Sequence, residues 1–330
     1  MKKHIKGLLT AGTLFTTSMV GISIINNMIS ASSTFKDLMH PSSASLYSWK
    51  FGDIYYTKQG QGKPLLLIHD LDVASSDKEW ALVVKELQKN YTVYTLDLLG
   101  CGRSEKPEIT YTNFLYVQLI TDFIHNVIKE KTNIVASGLS ASFVIMTCLN
   151  DSSIIDKMLL ISPEDLAILN QVPSKNSKTA KFMIELPIIG TLIYNIITCR
   201  SNIELLFTEK YLFNPFSMNA SFVDEYYESA HLDRSKGKYL QGSIVGRYVY
   251  ANVARALKSI DNSIFILSGE EHENIQETIA LYQSLNSSIE YELIHKANKL
   301  PQLESPEKVI ETINYFFLDE EELDESNMYM

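Results

Sequence analysis

The sequence predicts an α/β protein with a mostly parallel central sheet, flanked by helices and interrupted by a helical insertion. Short apolar runs of strand length, such as 65–68, 92–96 and 133–136, alternate with helical patterns. That alternation is typical of a parallel sheet covered by helices on both faces. It stops at Ser162-Pro163 and resumes near Ile264. A gap of about 100 residues is too long for a loop and indicates an inserted helical unit.

The first strands and the domain boundaries follow from this pattern. Residues 46–51 and 54–57 flank Gly52-Asp53 and predict a hairpin. We therefore expect an α/β core over 46–162 and 262–318, with a helical lid over 163–261. Residues 319–330 are rich in Asp and Glu, which predicts a disordered, solvated tail.

The N-terminal segment, 1–35, has the pattern of a targeting sequence. Lys2, Lys3 and Lys6 precede a stretch from 7 to 35 that contains no charged residue. Its length approaches the roughly 20 residues of a bilayer span. We expect a signal anchor that holds the main domain at the membrane, outside the cytoplasm. The alternative is a signal peptide cleaved near 31–33, which gives a secreted protein.

Composition limits the partners and cofactors. A net charge of −10 over 330 residues disfavours nucleic-acid binding, which needs clustered Lys and Arg. Three distant cysteines show no metal-ligand spacing. We expect neither a metal nor an organic cofactor, and the oligomeric state stays open. The apolar stretch 181–199 predicts either lid packing or the lining of a pocket for a small apolar ligand.

A serine-containing turn is the main candidate for chemistry. The apolar run 133–136 leads directly into Gly138-x-Ser140-x-Ser142, and a helical pattern follows. A serine displayed on a strained strand-to-helix turn needs small residues two positions before and after it. Gly138 and Ser142 meet that need. The backbone N–H of Ala141 would point at a developing oxyanion.

Several further motifs occur in a familiar order. Residues 97–107 read D-x-x-G-x-G-x-S-x-x-P, a His-Asp pair ends the run 65–68, and 300–307 read Leu-Pro-Gln-Leu-Glu-Ser-Pro-Glu. With the serine turn, these motifs resemble the α/β-hydrolase superfamily over about 49–317. The resemblance is greatest to its lid-bearing esterase, haloperoxidase-like and pheophytinase-like members. It implies the α/β-hydrolase fold, Ser140 as nucleophile, and an oxyanion hole from the N–H groups of Leu71 and Ala141.

Three positions depart from the superfamily pattern. Lys299 stands where the general base histidine is expected, and His272 stands where the acid is expected. Asp70 replaces the glycine beside the oxyanion hole, while Glu164 offers an alternative acid. A lysine can act as a base only if its pKa falls toward neutrality.

Two hypotheses follow for the activity. The first is a serine hydrolase that acts on an apolar ester or acyl substrate at Ser140. The second is a catalytically impaired binding or scaffolding protein on the same fold. We expect His69, Asp97 and Ser104 to be structural in either case.

Overall fold

The computed structural model describes residues 2–40, 45–214, 216 and 220–318, with side chains from residue 16 onward. The predicted acidic tail, 319–330, lies outside the described residues. The described residues include eight strands: β1 (Ser45–Trp49), β2 (Gly52–Gln59), β3 (Lys63–Ile68), β4 (Tyr91–Leu96), β5 (Thr132–Ser137), β6 (Ile155–Ile161), β7 (Ile264–Gly269) and β8 (Glu290–Ile294).

The strands form one sheet in the order β1-β2-β4-β3-β5-β6-β7-β8. β1 and β2 form the predicted hairpin, and β2 runs antiparallel to β4. All other neighbours are parallel. The predicted mostly parallel sheet is therefore confirmed.

The helices cover the sheet and build the insertion. They are α1 (Lys2–Ser33), α2 (Val84–Leu87), α3 (Asn113–Phe123), α4 (Ser140–Asn150), α5 (Leu166–Leu169), α6 (Lys175–Glu185), α7 (Ile189–Ile197), α8 (Arg200–Leu206), α9 (Ala220–Ser235), α10 (Lys238–Val245), α11 (Ala254–Leu257), α12 (Ile275–Leu285), α13 (Pro301–Glu304) and α14 (Pro306–Phe317). Among the described elements, those between β6 and β7 are all helical. We call this insertion, 163–261, the lid.

Two apolar layers sandwich the sheet. Leu66 and Ile134 face one layer, which α3 and α4 cover, whereas Leu65 and Val135 face the other, which α2 and α14 cover. The alternation follows from the two-residue period of a strand. Because both faces are apolar, the central strands read as continuous apolar runs in the sequence.

The parallel topology decides where a site can form. β3, β5, β6 and β7 are parallel neighbours, so their carboxyl ends lie at one edge of the sheet. Ligands bind at this edge in open α/β sheets. The segments after these strands carry most of the predicted site residues.

The N-terminal helix packs on the lid through contacts of α1 with α7 and α9. Within the part of the chain whose residues the structure describes, no single helix is long and apolar enough to cross a membrane. Helices α6 and α7 meet that requirement only as a pair, and the pair is bent by 104°.

Candidate active site

The strained residue of the strand-to-helix turn is Gly138. β5 ends at Ser137, Gly138 has a φ of +53°, and Leu139 is already helical. In this type of turn the nucleophile occupies the strained position. Small residues two positions before and after it, Ala136 and Ser140, complete the required spacing around Gly138. The predicted display of Ser140 at this position is wrong by two residues.

Ser140 is the first residue of α4 and is fully buried. Its Oγ donates a hydrogen bond to the backbone carbonyl of His69 at 2.6 Å. Among the described residues, no hydrogen bond joins Ser140 to Lys299. The predicted nucleophile and the residue at the base position are therefore not joined by a hydrogen bond.

The carboxylate of Asp70 occupies the space above Gly138. Its Oδ1 accepts a hydrogen bond from the N–H of Leu139 at 2.8 Å. A Cβ atom on Gly138 would overlap this carboxylate. A glycine is thus required at the turn both by its backbone conformation and by the neighbouring acid.

The oxyanion-hole prediction needs a correction for one of its two residues. The N–H that contributes in such turns belongs to the residue after the strained position, which is Leu139 and not Ala141. The N–H of Ala141 instead points to the carbonyl of Gly138 at 3.3 Å. Leu71 directly follows Asp70 at the end of β3 and is buried. Its predicted contribution stays a prediction.

Lys299 lies between two carboxylates. Its Nζ is 2.9 Å from Oδ2 of Asp70 and 3.2 Å from Oε1 of Glu164. Burial alone would lower the pKa of Lys299, but attraction to Asp70 and Glu164 outweighs it and raises that pKa well above its usual range. A base must be neutral to accept a proton, so the condition for a base role of Lys299 is not met in this environment. The predicted alternative acid, Glu164, is a partner of the lysine.

His272 is close to this group but is not bonded to it. Its Nδ1 is 3.4 Å from Oγ of Ser268, which is 2.9 Å from Oγ of Ser162. Burial, followed by repulsion from Lys299, lowers the pKa of His272 to about 4. His272 is therefore neutral near pH 7. An imidazole is neutral or cationic, so His272 does not supply the negative charge of the expected acid at any pH near neutrality.

A buried carboxylic acid behind Asp70 was missed at the level of sequence. Glu79 is fully buried, and its two oxygens accept hydrogen bonds from the N–H of Asp70 at 3.2 Å and from Nε2 of Gln302 at 2.7 Å. Burial and the charge of Asp70 raise the pKa of Glu79 to about 7. Nothing in the local pattern of 77–80 indicates this role, because the partners come from distant parts of the chain.

The residues expected to be structural have that role. Nδ1 of His69 lies 2.7 Å from the carbonyl of Asp70, and Nε2 accepts from the N–H of Leu98 at 3.0 Å. Asp97 binds the side chain of Arg103. Ser104 Oγ donates to the carbonyl of Asp97 at 2.5 Å. These contacts hold the loop after β4 against the end of β3.

A cleft of about 360 Å³ opens beside Lys299 and His272. Most of the residues that line it are polar or charged, among them two lysines and several carboxylates. The carboxylates are those of Glu164, Asp165, Glu209, Glu271 and Glu273. Among the described residues, no group of three His, Cys, Asp or Glu side chains has the arrangement of a metal site.

The family model that matches this chain describes the "Alpha/beta hydrolase family" and aligns with residues 65–312. A curated relative, the 2-hydroxy-6-oxo-6-(2'-aminophenyl)hexa-2,4-dienoic acid hydrolase of Metapseudomonas resinovorans, is 28% identical over 115 residues. The match covers 34% of this chain and 40% of that hydrolase. A soluble epoxide hydrolase of Corynebacterium sp. is 22% identical over 33% of this chain and 37% of its own length.

The similarity to solved structures covers a larger share of the chain. The epoxide hydrolase CorEH superposes with a TM-score of 0.69 at 18% identity, covering 83% of this chain and 98% of that one. The serine hydrolase CarC, involved in carbazole degradation, has a TM-score of 0.68 at 16% identity with the same coverage. Identities this low establish a shared fold, as the sequence predicts.

Proposed function

Because this chain belongs to the alpha/beta hydrolase family, we propose that it is a member that binds a small ligand without hydrolysing it. The observation that carries the proposal is the pair formed by Gly138 and Asp70. Glycine stands at the strained turn, and an acid from the neighbouring strand lies over it. The position from which a family nucleophile attacks therefore holds no hydroxyl, thiol or carboxylate of its own.

The electrostatics of the turn support the same proposal. An oxyanion hole must present free N–H donors to the charge that develops during acyl transfer. The N–H of Leu139 is already bonded to the Asp70 carboxylate. A substrate oxyanion at this point would also face the negative charge of Asp70, which opposes its formation.

The cleft beside Lys299 supports a polar ligand rather than the apolar one that the sequence predicts. Its walls carry acids and lysines from both the core and the lid, including Glu209 and Glu271. An apolar acyl chain would leave these groups desolvated and without partners, which is unfavourable. We therefore place ligand binding in this cleft and assign no bond-breaking step to Ser140.

A fluorophosphonate probe tests the proposal directly. We expect no labelling of the folded native chain, and no release of p-nitrophenol from p-nitrophenyl esters above the uncatalysed rate. The hydrolase hypothesis predicts strong labelling that disappears in Ser140→Ala. That result would overturn the proposal.

A variant that restores family-type catalytic residues tests whether Gly138 occupies the position of the nucleophile. The quadruple variant Asp70→Gly, Gly138→Ser, His272→Asp, Lys299→His places family-type residues at the turn, the base and the acid. We expect it to gain probe labelling and esterase activity. The matched control carries Gly138→Ala in place of Gly138→Ser and should stay unreactive. Equal reactivity of the two variants would contradict our choice of Gly138 as the nucleophile position.

A further inference from the structure

The N-terminal helix is joined to the lid by a buried polar contact. Asn26 is only 8% exposed; its Nδ2 donates to the carbonyl of Ile188 at 2.9 Å, and its Oδ1 accepts from Nδ2 of Asn195 at 3.0 Å. Oδ1 of Asn195 accepts in turn from Ser235 at 2.8 Å. Ile188 has a φ of +57°, which is uncommon for a β-branched residue. The helix thus satisfies polar groups that the lid buries.

The chain just after the helix makes a second, independent contact. Glu228 in α9 is 1% exposed, and its carboxylate accepts the N–H groups of Leu38 at 3.0 Å and Met39 at 3.1 Å. Lys36 pairs with Asp224 on the same helix at 2.5 Å. A buried carboxylate is unfavourable unless it is hydrogen-bonded. The lid therefore uses segment 26–39 as part of its own structure, and cleavage at 31–33 would remove the Asn26 contacts.

The outer faces of these helices are apolar and uncovered. On α1, Ile24 and Met28 are 54% and 65% exposed, and on α7, which packs against α1, Ile196 is 59% exposed. Most of the large apolar side chains that are exposed lie in the N-terminal segment and the lid rather than in the core. Clustering of this kind marks an interaction surface.

Helix α6, which contacts α7, carries exposed lysines. Lys175, Lys178 and Phe182 follow the spacing of one helical face and are all exposed. The opposite side of α6 packs on α10. Lysines beside an exposed aromatic residue suit the interface of a bilayer that contains anionic lipids.

We propose that the mature protein keeps its N-terminal helix, and that the exposed faces of α1, α6 and α7 rest on an anionic bilayer. The uncharged stretch 7–35 and the three lysines that precede it favour a membrane over a protein partner. The proposal does not depend on whether the site is catalytic. It places the lid at the membrane and leaves the opposite side of the core in solution.

Retention of the helix is tested on the full-length protein purified from the cells that make it. We expect intact mass and N-terminal sequencing to show a chain that still contains residues 16–33. We also expect Asn26→Ala to make proteolysis of the lid about tenfold faster, since a buried hydrogen-bond network is broken. The matched control is Asn27→Ala, because Asn27 is exposed. A mature chain that begins at or after residue 34, or equal effects of the two variants, would overturn this part.

Contact with the bilayer is tested by quenching. A fluorophore is attached to Phe182→Cys or to Phe114→Cys in a Cys199→Ser background, since Cys101 and Cys148 are buried. Phe114 lies on the core and is 66% exposed, against 62% for Phe182. In phosphatidylglycerol vesicles containing a head-group nitroxide lipid, we expect severalfold stronger quenching at 182 than at 114. Equal or absent quenching at 182 would overturn the proposal, and equal quenching in phosphatidylcholine would overturn the role of the lysines.

Discussion

Replacing Gly138 by alanine tests whether Asp70 occupies the space over the turn. The added Cβ would lie less than 3.0 Å from Cγ and both oxygens of Asp70, so the carboxylate must move away. A non-glycine residue in the left-handed region costs about 1–2 kcal/mol. Loss of a hydrogen bond to a charged group, here with Leu139, costs about 1.5–3 kcal/mol more. We therefore expect Gly138→Ala to lower the free energy of unfolding by about 2.5–5 kcal/mol.

The second half of the experiment removes the acid. In an Asp70→Ala background the carboxylate is absent, so Gly138→Ala should lower the free energy of unfolding only by the backbone strain, about 1–2 kcal/mol. The coupling between the two positions is then about 1.5–3 kcal/mol, well above the scatter of a double-mutant cycle. The measurement is urea-induced unfolding of the four proteins at pH 7, with equal slopes against denaturant.

A second left-handed glycine provides the control. Gly102 has a φ of +47°, and a Cβ there would overlap the carboxylate of Asp97. Gly102→Ala should be destabilising by the same amount with or without Asp70. If Gly138→Ala is also unaffected by the change at Asp70, the carboxylate does not hold the turn, and our account of the site is refuted.

Three further predictions concern groups around this turn. Lys299→Met should destabilise the protein by about 3–5 kcal/mol because it leaves the buried carboxylate of Asp70 and the half-buried one of Glu164 without their cation. Met at the exposed Lys296 should change the free energy of unfolding by less than about 0.5 kcal/mol. Urea unfolding measures both variants, and similar losses would contradict the pairing. The native state binds the proton of Glu79 more tightly than the unfolded chain does, so this group should make the free energy of unfolding fall as pH rises from 4.5 to about 7. In Glu79→Gln this contribution to the pH dependence should be absent when unfolding is measured across the same range. The same pH dependence in the native protein and in Glu79→Gln would contradict the prediction. Ser140→Ala and its control Ser142→Ala should each lower the free energy of unfolding by about 1 kcal/mol. Neither should change labelling by the fluorophosphonate probe. A loss of labelling in Ser140→Ala alone would restore the hypothesis that Ser140 is the nucleophile.

The strands of the sheet could be predicted because they depend on the local pattern of apolar residues along the chain. Apolar runs of strand length mark β3, β4 and β5, and each strand lies within two residues of its predicted position at either end. The break in the alternation likewise marks the helical insertion. These features depend on the period of burial along the chain, which a sequence records directly.

The turn could not be assigned correctly from sequence because its spacing is ambiguous. Small residues occupy 136, 138, 140 and 142, so the small-x-small-x-small pattern fits with either Gly138 or Ser140 at its centre. Only the backbone torsion decides, and it places the strain at Gly138. Because position 140 is a serine, the sequence pattern favoured Ser140 over Gly138 as the centre of the turn.

The partners of Lys299 depend on tertiary structure. The sequence identifies Lys299, Asp70 and Glu164 as unusual or alternative site residues, but it does not show that they form one ion-paired group. Their chain segments meet only because β3, β6 and the loop after β8 end at the same edge of the sheet. The pKa of Lys299 is raised because the carboxylates of Asp70 and Glu164 lie next to it, and this raised pKa argues against a base role.

Several residues that replace the family's catalytic groups contact one another, and these contacts bear on the function of the site. Gly138 leaves room for the carboxylate of Asp70; that carboxylate satisfies the N–H of Leu139 and holds Lys299, and Lys299 also binds Glu164. A hydrolase that had merely lost its catalytic groups would be expected to leave donors and charges in the site without partners. Here the carboxylate of Asp70 is a partner of both Leu139 and Lys299, which supports our proposal that this edge of the sheet binds a ligand without acyl transfer. Such an arrangement is expected where the pocket is used for binding.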